Sequence, residues 1–310
     1  QEAAKQGLVS FAREPMLDYL GELVGAKRID DEPATTIVRF ESSGSHDEDI
    51  YIAAGTRISD SKSDVIFSTL DSAVILAGQT HVDVSAICEV GGTVGNGFAI
   101  NALDVLIDLI LDVEVKNITV TTGGFDREDD DRLRERIKLA PEGFTTAGSY
   151  GAYRYHAMSA SASIVDVGIQ SLVPGEVKIY PITQSGEPDN GLLLKIADVC
   201  SDEKVRPLCD TVKVLSPEVI EYEIIANVTL YSTADVSIVK PLIEQNARDY
   251  AYQQSKSLGK DLVPSQLCSA LKVPGVYDVS LEGFTLRKLG THEWAKCTAI
   301  TVTIIGAEDG

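Results

Sequence analysis

The sequence predicts a multidomain α+β protein, and three patterns along the 310 residues support that prediction. Apolar residues at helical spacing occupy residues 1–30, short alternating runs follow over 31–122, and mixed helix and strand patterns fill the remainder. Helices followed by adjacent hairpins favour domains in which helices cover one face of an antiparallel or mixed sheet. A chain of this length is long enough to bury more than one core.

The N-terminal helical segment, residues 1–30, has its apolar residues near i, i+3 and i+4. Pro15 interrupts this pattern, so we predict two short helices, with Gly25 as the stop signal. The first residue is Gln, and no charged-then-apolar leader follows it. We therefore expect the chain to begin inside a longer protein.

Residues 31–122 are predicted to form a small antiparallel β domain. Its longest apolar run is interrupted by Asp104, Asp108 and Asp112, which excludes a membrane-spanning helix. The loop GGTVGNG that precedes this run lacks the lysine of a phosphate-binding loop, so we do not interpret it as a nucleotide site. The predicted strands are the runs TIVRF, IYIAAGTRI, VIFSTL, AVILAG and HVDVSAICEV.

Two α+β domains are predicted beyond this point, over residues 123–215 and 216–310. Each contains helix, glycine-containing loop, helix and strand in that order, and we interpret them as an internal duplication. Asp166 and Asp278 occupy equivalent places in the two copies. The predicted elements around them are the strands VKIYPIT, EYEIIANVTLY and CTAITVTII and the amphipathic helix GLLLKIADVCSDEKVRPLC.

The stretch GGFDREDDDRLRERI, residues 123–137, places clustered acidic residues before an arginine-rich helix. Asp126 suits the N-cap and Asp129 the N3 position, and the helix dipole favours negative charge in the first turn. A divalent metal is the alternative use of such carboxylates, but no second type of ligand accompanies them. We predict a helix start, with i,i+4 ion pairs of Glu128 with Arg132 and of Asp130 with Arg134.

Charge and motif content argue against several classes of function. The 47 acidic and 27 basic residues give a formal charge of −20, which disfavours nucleic-acid and membrane-surface partners. The five cysteines contain no CxxC pair and the four histidines are isolated, so we predict a reduced protein without a disulfide framework, metal or cofactor. No GxSxG, HExxH or dinucleotide motif is present, and we expect no enzymatic activity.

Several stretches in order along nearly the whole chain resemble the baseplate protein J family of contractile phage tails and related injection systems. They include IYIAAGTRI, GGTVGNG, the acidic stretch at 123–137, LVPGEVKIYPI and ALKVPGVYDVSL. The family usually has a further N-terminal segment that forms a helical bundle with partner subunits, and this chain is expected to begin after it. Phe125 and the run Asp129 to Asp131 vary the family's common pattern.

The resemblance implies a structural role in a virion or phage-like tail baseplate that is assembled in the host cytoplasm. Two copies of such a protein join other subunits in each wedge, and six wedges surround the hub. Contacts between copies, through the C-terminal domains, link the wedges into a ring that helps to trigger sheath contraction. The expected partners are therefore other wedge and hub proteins and the chain itself.

The alternative function is a tail-associated cell-wall hydrolase that uses paired carboxylates. Its candidate acids are Glu135, Asp166 and Asp278.

For the structural role, the candidate interface residues are two groups near the centre of the chain. The arginines could pair with an acidic neighbouring subunit, and the alternative is a solvated helix face. The tyrosines could anchor an interface, and the alternative is packing in the core. These residues are Arg132, Arg134, Arg136, Tyr150, Tyr153 and Tyr155.

Overall fold

The computed structural model describes residues 5–42, 44, 46–62, 64–145, 148–203 and 205–309. The chain divides into two compact units, one of Gln1–Glu22 with Lys27–Arg134 and the other of Leu23–Ala26 with Glu135–Gly310. Residues 1–4 of the predicted N-terminal segment lie outside the described part. Helix α1 follows Pro15 directly and spans Met16–Glu22.

The first unit contains a six-stranded antiparallel sheet in the order β7-β3-β4-β6-β1-β8. The end strands β7 and β8 lie close to each other, so the sheet nearly closes into a barrel. A separate antiparallel pair joins β2 and β5. The strands are β1 (Pro33–Ser42), β2 (Ile50–Ile52), β3 (Arg57–Ser59), β4 (Ile66–Thr69), β5 (Ala73–Ile75), β6 (His81–Gly91), β7 (Val105–Leu106) and β8 (Val113–Asn117).

Alternation of side chains builds the core of this sheet. In β1 every second residue is buried, because successive side chains point to opposite faces of a strand. The buried apolar side chains include Val38, Phe40, Ile58, Phe67 and Ile75. The small antiparallel β domain of the predicted fold class is confirmed, while its predicted bounds, 31–122, stay a prediction.

The second unit begins with a mixed three-stranded sheet in the order β11-β10-β9. Strand β10 pairs antiparallel with β9 and parallel with β11. Helix α2 crosses from the first unit into the second, and the side chains of Ser149 and Asp189 cap α3 and α4. The elements are α2 (Asp130–Leu139), a 3-10 helix (Ala140–Phe144), α3 (Tyr150–Met158), β9 (Ile164–Gln170), β10 (Glu176–Thr183), α4 (Asn190–Ser201) and β11 (Thr211–Val214).

A second mixed sheet, in the order β13-β12-β14, completes this unit. Strand β12 pairs antiparallel with β13 and parallel with β14. The buried side chains of β12, such as Ile224 and Val228, form one core with Ile243 and Leu267, which lie on the two helices that follow β12. The elements are β12 (Glu218–Tyr231), α5 (Val236–Ser255), α6 (Pro264–Leu271), β13 (Val276–Glu282) and β14 (Glu293–Glu308). A multidomain α+β fold is confirmed.

The two mixed sheets share a pattern but not a strand order. Each has a central strand with one antiparallel and one parallel neighbour. In the first sheet the strands that follow the helices, β9 and β10, pair directly. In the second sheet β12 lies between β13 and β14, the corresponding strands. The predicted echo therefore holds for the order of helices and strands and does not extend to their pairing.

Candidate interaction surfaces

Two glycine-containing segments of the first unit, residues 91–97 and 123–126, hold each other in place. Asn96 brackets Gly124, because its Oδ1 accepts the Gly124 N–H at 2.9 Å and its Nδ2 donates to the Gly124 carbonyl at 2.7 Å. A Cβ on Gly124 would lie 2.3 Å from the carbonyl oxygen of Gly92, so only glycine fits there. The GGTVGNG loop therefore positions the beginning of the acidic stretch.

Helix α2 starts later than the sequence predicts. The Asp126 carboxylate accepts the Thr93 N–H at 2.8 Å and the Thr93 hydroxyl at 3.1 Å, so it does not cap the helix. Asp129 is the cap, because its Oδ1 accepts the Arg132 N–H at 2.8 Å and α2 begins at Asp130. The predicted N-cap is wrong because a donor from the distant GGTVGNG loop takes the Asp126 side chain.

Arg28 connects α1 to the start of α2 within the first unit. Its side chain is 5% exposed and bonds Asp18 at 2.8 Å, Asp130 at 2.7 Å and the Glu128 carbonyl at 2.7 Å. Burial by itself lowers the pKa of Arg28, but the hydrogen bonds and charges of Asp18 and Asp130 together raise it above its ordinary value. Asp18 of α1 and Asp130, the first residue of α2, thus hold a buried cation of their own chain.

Arg134 also binds the N-terminal segment. Its Nε donates to the Val9 carbonyl at 2.9 Å and its Nη2 donates to the Ala12 carbonyl at 2.8 Å. Its ion pair is with Asp131. The predicted partner, Asp130, makes its ion pair with Arg28. The charge of Arg134 helps to lower the pKa of Asp130, but no hydrogen bond or ion pair joins these two described residues. The partners of Arg134 come mainly from residues far away in sequence.

Arg132 and Arg136 are likewise engaged inside the chain. Arg132 lies 3.4 Å from the buried carboxylate of Glu128, and this confirms the predicted i,i+4 pair. Arg136 is 3% exposed and donates to Ser159 Oγ at 3.1 Å. The arginines of α2 therefore do not form the solvated helix face considered from the sequence. Contact of any of them with another subunit stays a prediction.

The three candidate tyrosines lie on α3 in different environments. Tyr153 is 2% exposed, packs in the core and donates its hydroxyl to Asp210 at 2.9 Å. Burial and the Asp210 carboxylate raise the pKa of Tyr153. Tyr155 is half-buried, and a Cβ on Gly143 would lie 2.5 Å from its ring. Tyr150 is 61% exposed and is the member of the group that presents most of its surface.

The carboxylates proposed for a hydrolase have other environments. Asp166 Oδ1 accepts from Arg154 at 2.5 Å, and its Oδ2 accepts the Leu258 N–H at 2.8 Å. Asp278 is exposed on β13 and Glu135 is exposed on α2. The contacts of Asp166 join neighbouring parts of the second unit, which is a structural role. The hydrolase hypothesis finds no support here.

One acidic cluster with a histidine occurs among the residues that the structure describes. Ligand atoms of Glu218, His292 and Glu293 all lie within 4.8 Å of one another. The His292 Nδ1 is 2.7 Å from Gln170 Nε2, and the Glu293 carboxylate accepts the Gly290 N–H. Since His292 Nδ1 and the Glu293 carboxylate already have hydrogen-bond partners within the protein, we assign no metal to the cluster.

An exposed apolar loop, residues 107–111, follows β7 in the first unit. Leu109 and Leu111 are 82% and 80% exposed. The loop is held at its base by Arg57, which bonds the Asp108 carboxylate through its N–H at 2.9 Å and through its guanidinium at 2.7 Å. Hydrogen bonds from Arg57 lower the pKa of Asp108 to about 2. Large apolar side chains on an anchored loop indicate an interaction surface, which the sequence prediction did not identify.

The interrupted apolar run that contains this loop forms short strands and turns in the structure. No helix in the described ranges is long and apolar enough to cross a membrane.

Comparisons with known proteins give a consistent set of matches. Family models match three successive regions of the chain: the Baseplate J-like protein barrel domain at residues 37–124, the Baseplate J-like central domain at 145–216 and the Baseplate J-like protein C-terminal domain at 222–303. Baseplate protein J of Escherichia phage P2 is 34% identical over 156 residues, which are 50% of this chain and 51% of that protein. The chain thus spans about half the length of this curated relative.

Among solved structures, a chain of the 6-fold symmetrised cryo-EM structure of the anti-feeding prophage baseplate is similar to this chain. The match covers 90% of this chain and 79% of that chain, with a TM-score of 0.49 and 13% sequence identity.

Proposed function

Because the chain belongs to the baseplate J family, we propose that it is a structural subunit of the baseplate of a contractile tail. The particle is a phage or a phage-like injection system. The subunit acts through its interfaces and carries out no catalysis. The single observation that supports this proposal most strongly is the succession of three family domains, in barrel, central and C-terminal order, along one chain.

In this role the chain joins other wedge proteins and the hub, and copies of it link the wedges into a ring. A change in that ring helps to trigger sheath contraction, after assembly in the host cytoplasm. Tyr150, which is 61% exposed on α3, is the strongest candidate interface residue from the sequence. The arginines of α2 contribute by fixing the N-terminal segment, since Arg134 binds the Val9 and Ala12 carbonyls.

The apolar loop adds a contact surface in the first unit. Leu109 and Leu111 expose most of their side chains, and burial of apolar surface is the main favourable term in protein association. The ion pair of Arg57 with Asp108 fixes the loop before a partner arrives, which lowers the entropy lost on binding. We assign this loop to a contact with another baseplate protein.

Quantitative mass spectrometry of tail particles from an induced producing strain tests the proposed role. This polypeptide is counted against the sheath and spike proteins of the same particles. We expect about twelve copies per particle, which corresponds to two copies in each of six wedges of a closed symmetric assembly. Absence of the polypeptide from intact particles would overturn the structural role.

A paired set of variants tests the apolar loop. Leu109→Ser with Leu111→Ser should reduce incorporation into particles at least several-fold while the thermal unfolding of the chain stays unchanged. The control is Leu172→Ser with Leu208→Ser, since these leucines are 80% and 98% exposed in the second unit. Equal incorporation of both double variants would remove the loop from the interface and leave the family-based role standing.

A further inference from the structure

A cleft of about 460 Å³ lies within the second unit, where its two mixed sheets meet. One wall is the turn after β10, residues 183–186. The other walls are the C-terminal end of α5, with Tyr252 and Lys256, and the beginning of β14, with Trp294 and Lys296. The proposed assembly role does not by itself assign any function to this cleft.

The walls of the cleft are fixed by contacts within the protein. Trp294 Nε1 donates to the Ser255 carbonyl at 2.8 Å, which fixes the indole against the end of α5. Thr183 and Gly186 exchange backbone hydrogen bonds at 2.8 and 3.0 Å, which closes the turn. Gly186 has a φ of 111°, and a Cβ there would lie 3.0 Å from the Trp294 ring. The cleft is therefore formed before any partner binds, and little ordering is needed on binding.

The charge of the cleft is opposite to that of the chain. Its charged lining residues are Lys256 and Lys296, and none of the described lining residues is Asp or Glu. This is unusual in a chain with 47 acidic and 27 basic residues. Lys256 Nζ lies 4.2 Å above the centre of the Tyr252 ring. Glu221 is opposite Lys296 in the strand register, but no ion pair links these two described residues.

We propose that this cleft binds an acidic peptide segment of a neighbouring subunit, whose carboxylates pair with Lys256 and Lys296. The ammonium groups provide the complementary charge, and the Tyr252 ring, which is 59% exposed, provides apolar contact area. Gln184 and Ser185 of the turn offer polar groups to the peptide backbone. A long polyanion such as a nucleic acid is disfavoured, since the −20 charge of the chain repels it beyond this local site.

This inference concerns a contact of the baseplate subunit and so rests on the proposed function, but its test needs no particle. The probe is an acetylated and amidated peptide of alternating glutamate and serine with a fluorescent label, and the matched peptide has glutamine in place of glutamate. Fluorescence anisotropy measures binding to the full chain. Emission from Trp294, the single tryptophan, reports whether the peptide occupies the cleft.

We expect saturable binding of the glutamate peptide that weakens as salt is raised, and no binding of the glutamine peptide. Lys256→Gln with Lys296→Gln should weaken binding by roughly tenfold or more. The matched control, Lys240→Gln with Lys272→Gln, removes the same charge from residues outside the cleft and should bind like the wild type. Lys256→Arg with Lys296→Arg keeps both charges and should retain binding, which guards against loss of folding in the glutamine variant.

Absence of saturable binding to the wild type would overturn the proposal, as would equal weakening in the two glutamine double variants. Either result would leave the particle count, and with it the structural role, unaffected. Conversely, a chain that binds the peptide but is absent from particles would retain the cleft site and lose the baseplate role.

Discussion

Tyr150 and Tyr153 lie three residues apart on α3, yet one is 61% exposed and the other 2% exposed. Tyr153→Ala should lower the free energy of unfolding of the second unit by roughly 3–5 kcal/mol, because it removes a core ring and its hydrogen bond to Asp210. Tyr150→Ala is the matched control and should change it by less than about 0.5 kcal/mol. Urea denaturation followed by circular dichroism measures both, and equal effects of the two variants would contradict this assignment of core and surface.

Arg28 is a second residue whose environment predicts a large effect. Arg28→Met should destabilise the first unit by roughly 2–3 kcal/mol, less than a fully buried pair, because Asp18 and Asp130 keep some exposure to water. Arg39→Met is the control, since Arg39 also bonds an aspartate with two nitrogens but is more exposed than Arg28, and this substitution should destabilise the first unit clearly less than Arg28→Met. Differential scanning calorimetry compares the two, and a similar small shift for both would show that Arg28 has no special role.

Side-chain partners of this kind lie beyond what local spacing predicts. The sequence correctly predicted the pair of Glu128 with Arg132, because both residues lie one helical turn apart. It placed Arg134 and Asp126 wrongly, since their partners are Val9 and Thr93, which only the folded chain brings near. Acidic and arginine residues in one stretch predict the presence of a helix well, and they predict its first residue and their own contacts poorly.

At the scale of elements, strands with one buried face were predicted well because burial imposes a period of two. The alternation in TIVRF marks β1, and the alternation in EYEIIANVTLY marks β12. Strand partners were not predicted, because period alone does not state which strand lies beside which. For this reason the duplication inferred from element order missed the different position of the central strand in each sheet.

The join between β9 and the loop before β14 leads to a prediction about these elements. A Cβ on Gly168 would lie 1.8 Å from the Thr291 carbonyl oxygen, whereas one on Gly306 would meet no atom within 4 Å. Gly168→Ala should therefore destabilise the second unit by roughly 1–3 kcal/mol or more, and Gly306→Ala by less than about 1 kcal/mol.

Thermal unfolding and limited proteolysis measure the effect of these two glycine substitutions. The segment between β11 and β12 should become more sensitive to protease in Gly168→Ala alone, because this substitution forces β9 and the loop before β14 apart. If the Gly168→Ala variant has the same melting temperature and the same protease sensitivity as the wild type, then β9 and the loop before β14 can separate without cost.

For the whole molecule, the formal charge of −20 should dominate the response to salt. Raising NaCl from about 20 to about 200 mM at pH 7 should raise Tm by a few degrees, because salt screens repulsion within the folded chain. Near pH 4.5, the isoelectric point, the same change should have a smaller effect. A fall in Tm with salt at pH 7 would mean that attractive ion pairs outweigh the repulsion.

Composition and charge are sufficient for this expectation about the whole molecule, whereas its contact surfaces depend on the fold. The apolar loop was visible in sequence only as an interrupted hydrophobic run, because exposure of Leu109 and Leu111 follows from the path of the chain after β7. The basic cleft was not visible at all, since Lys256 and Lys296 become neighbours only when β14 lies beside the end of α5.

The parallel pairing of β12 with β14 has a consequence for biosynthesis. Glu218 pairs with Glu293 and Tyr231 with Glu308. The central strand of the last sheet therefore cannot complete its backbone pairing until residues much later in the sequence have been synthesised. The end of β12 and the start of β14 are separated by residues 232–292, so at roughly 5–20 residues per second several seconds pass between the synthesis of the two strands. During this interval the apolar positions of β12 are a natural target for chaperones, and the parallel half of the sheet closes only after β14 has been made.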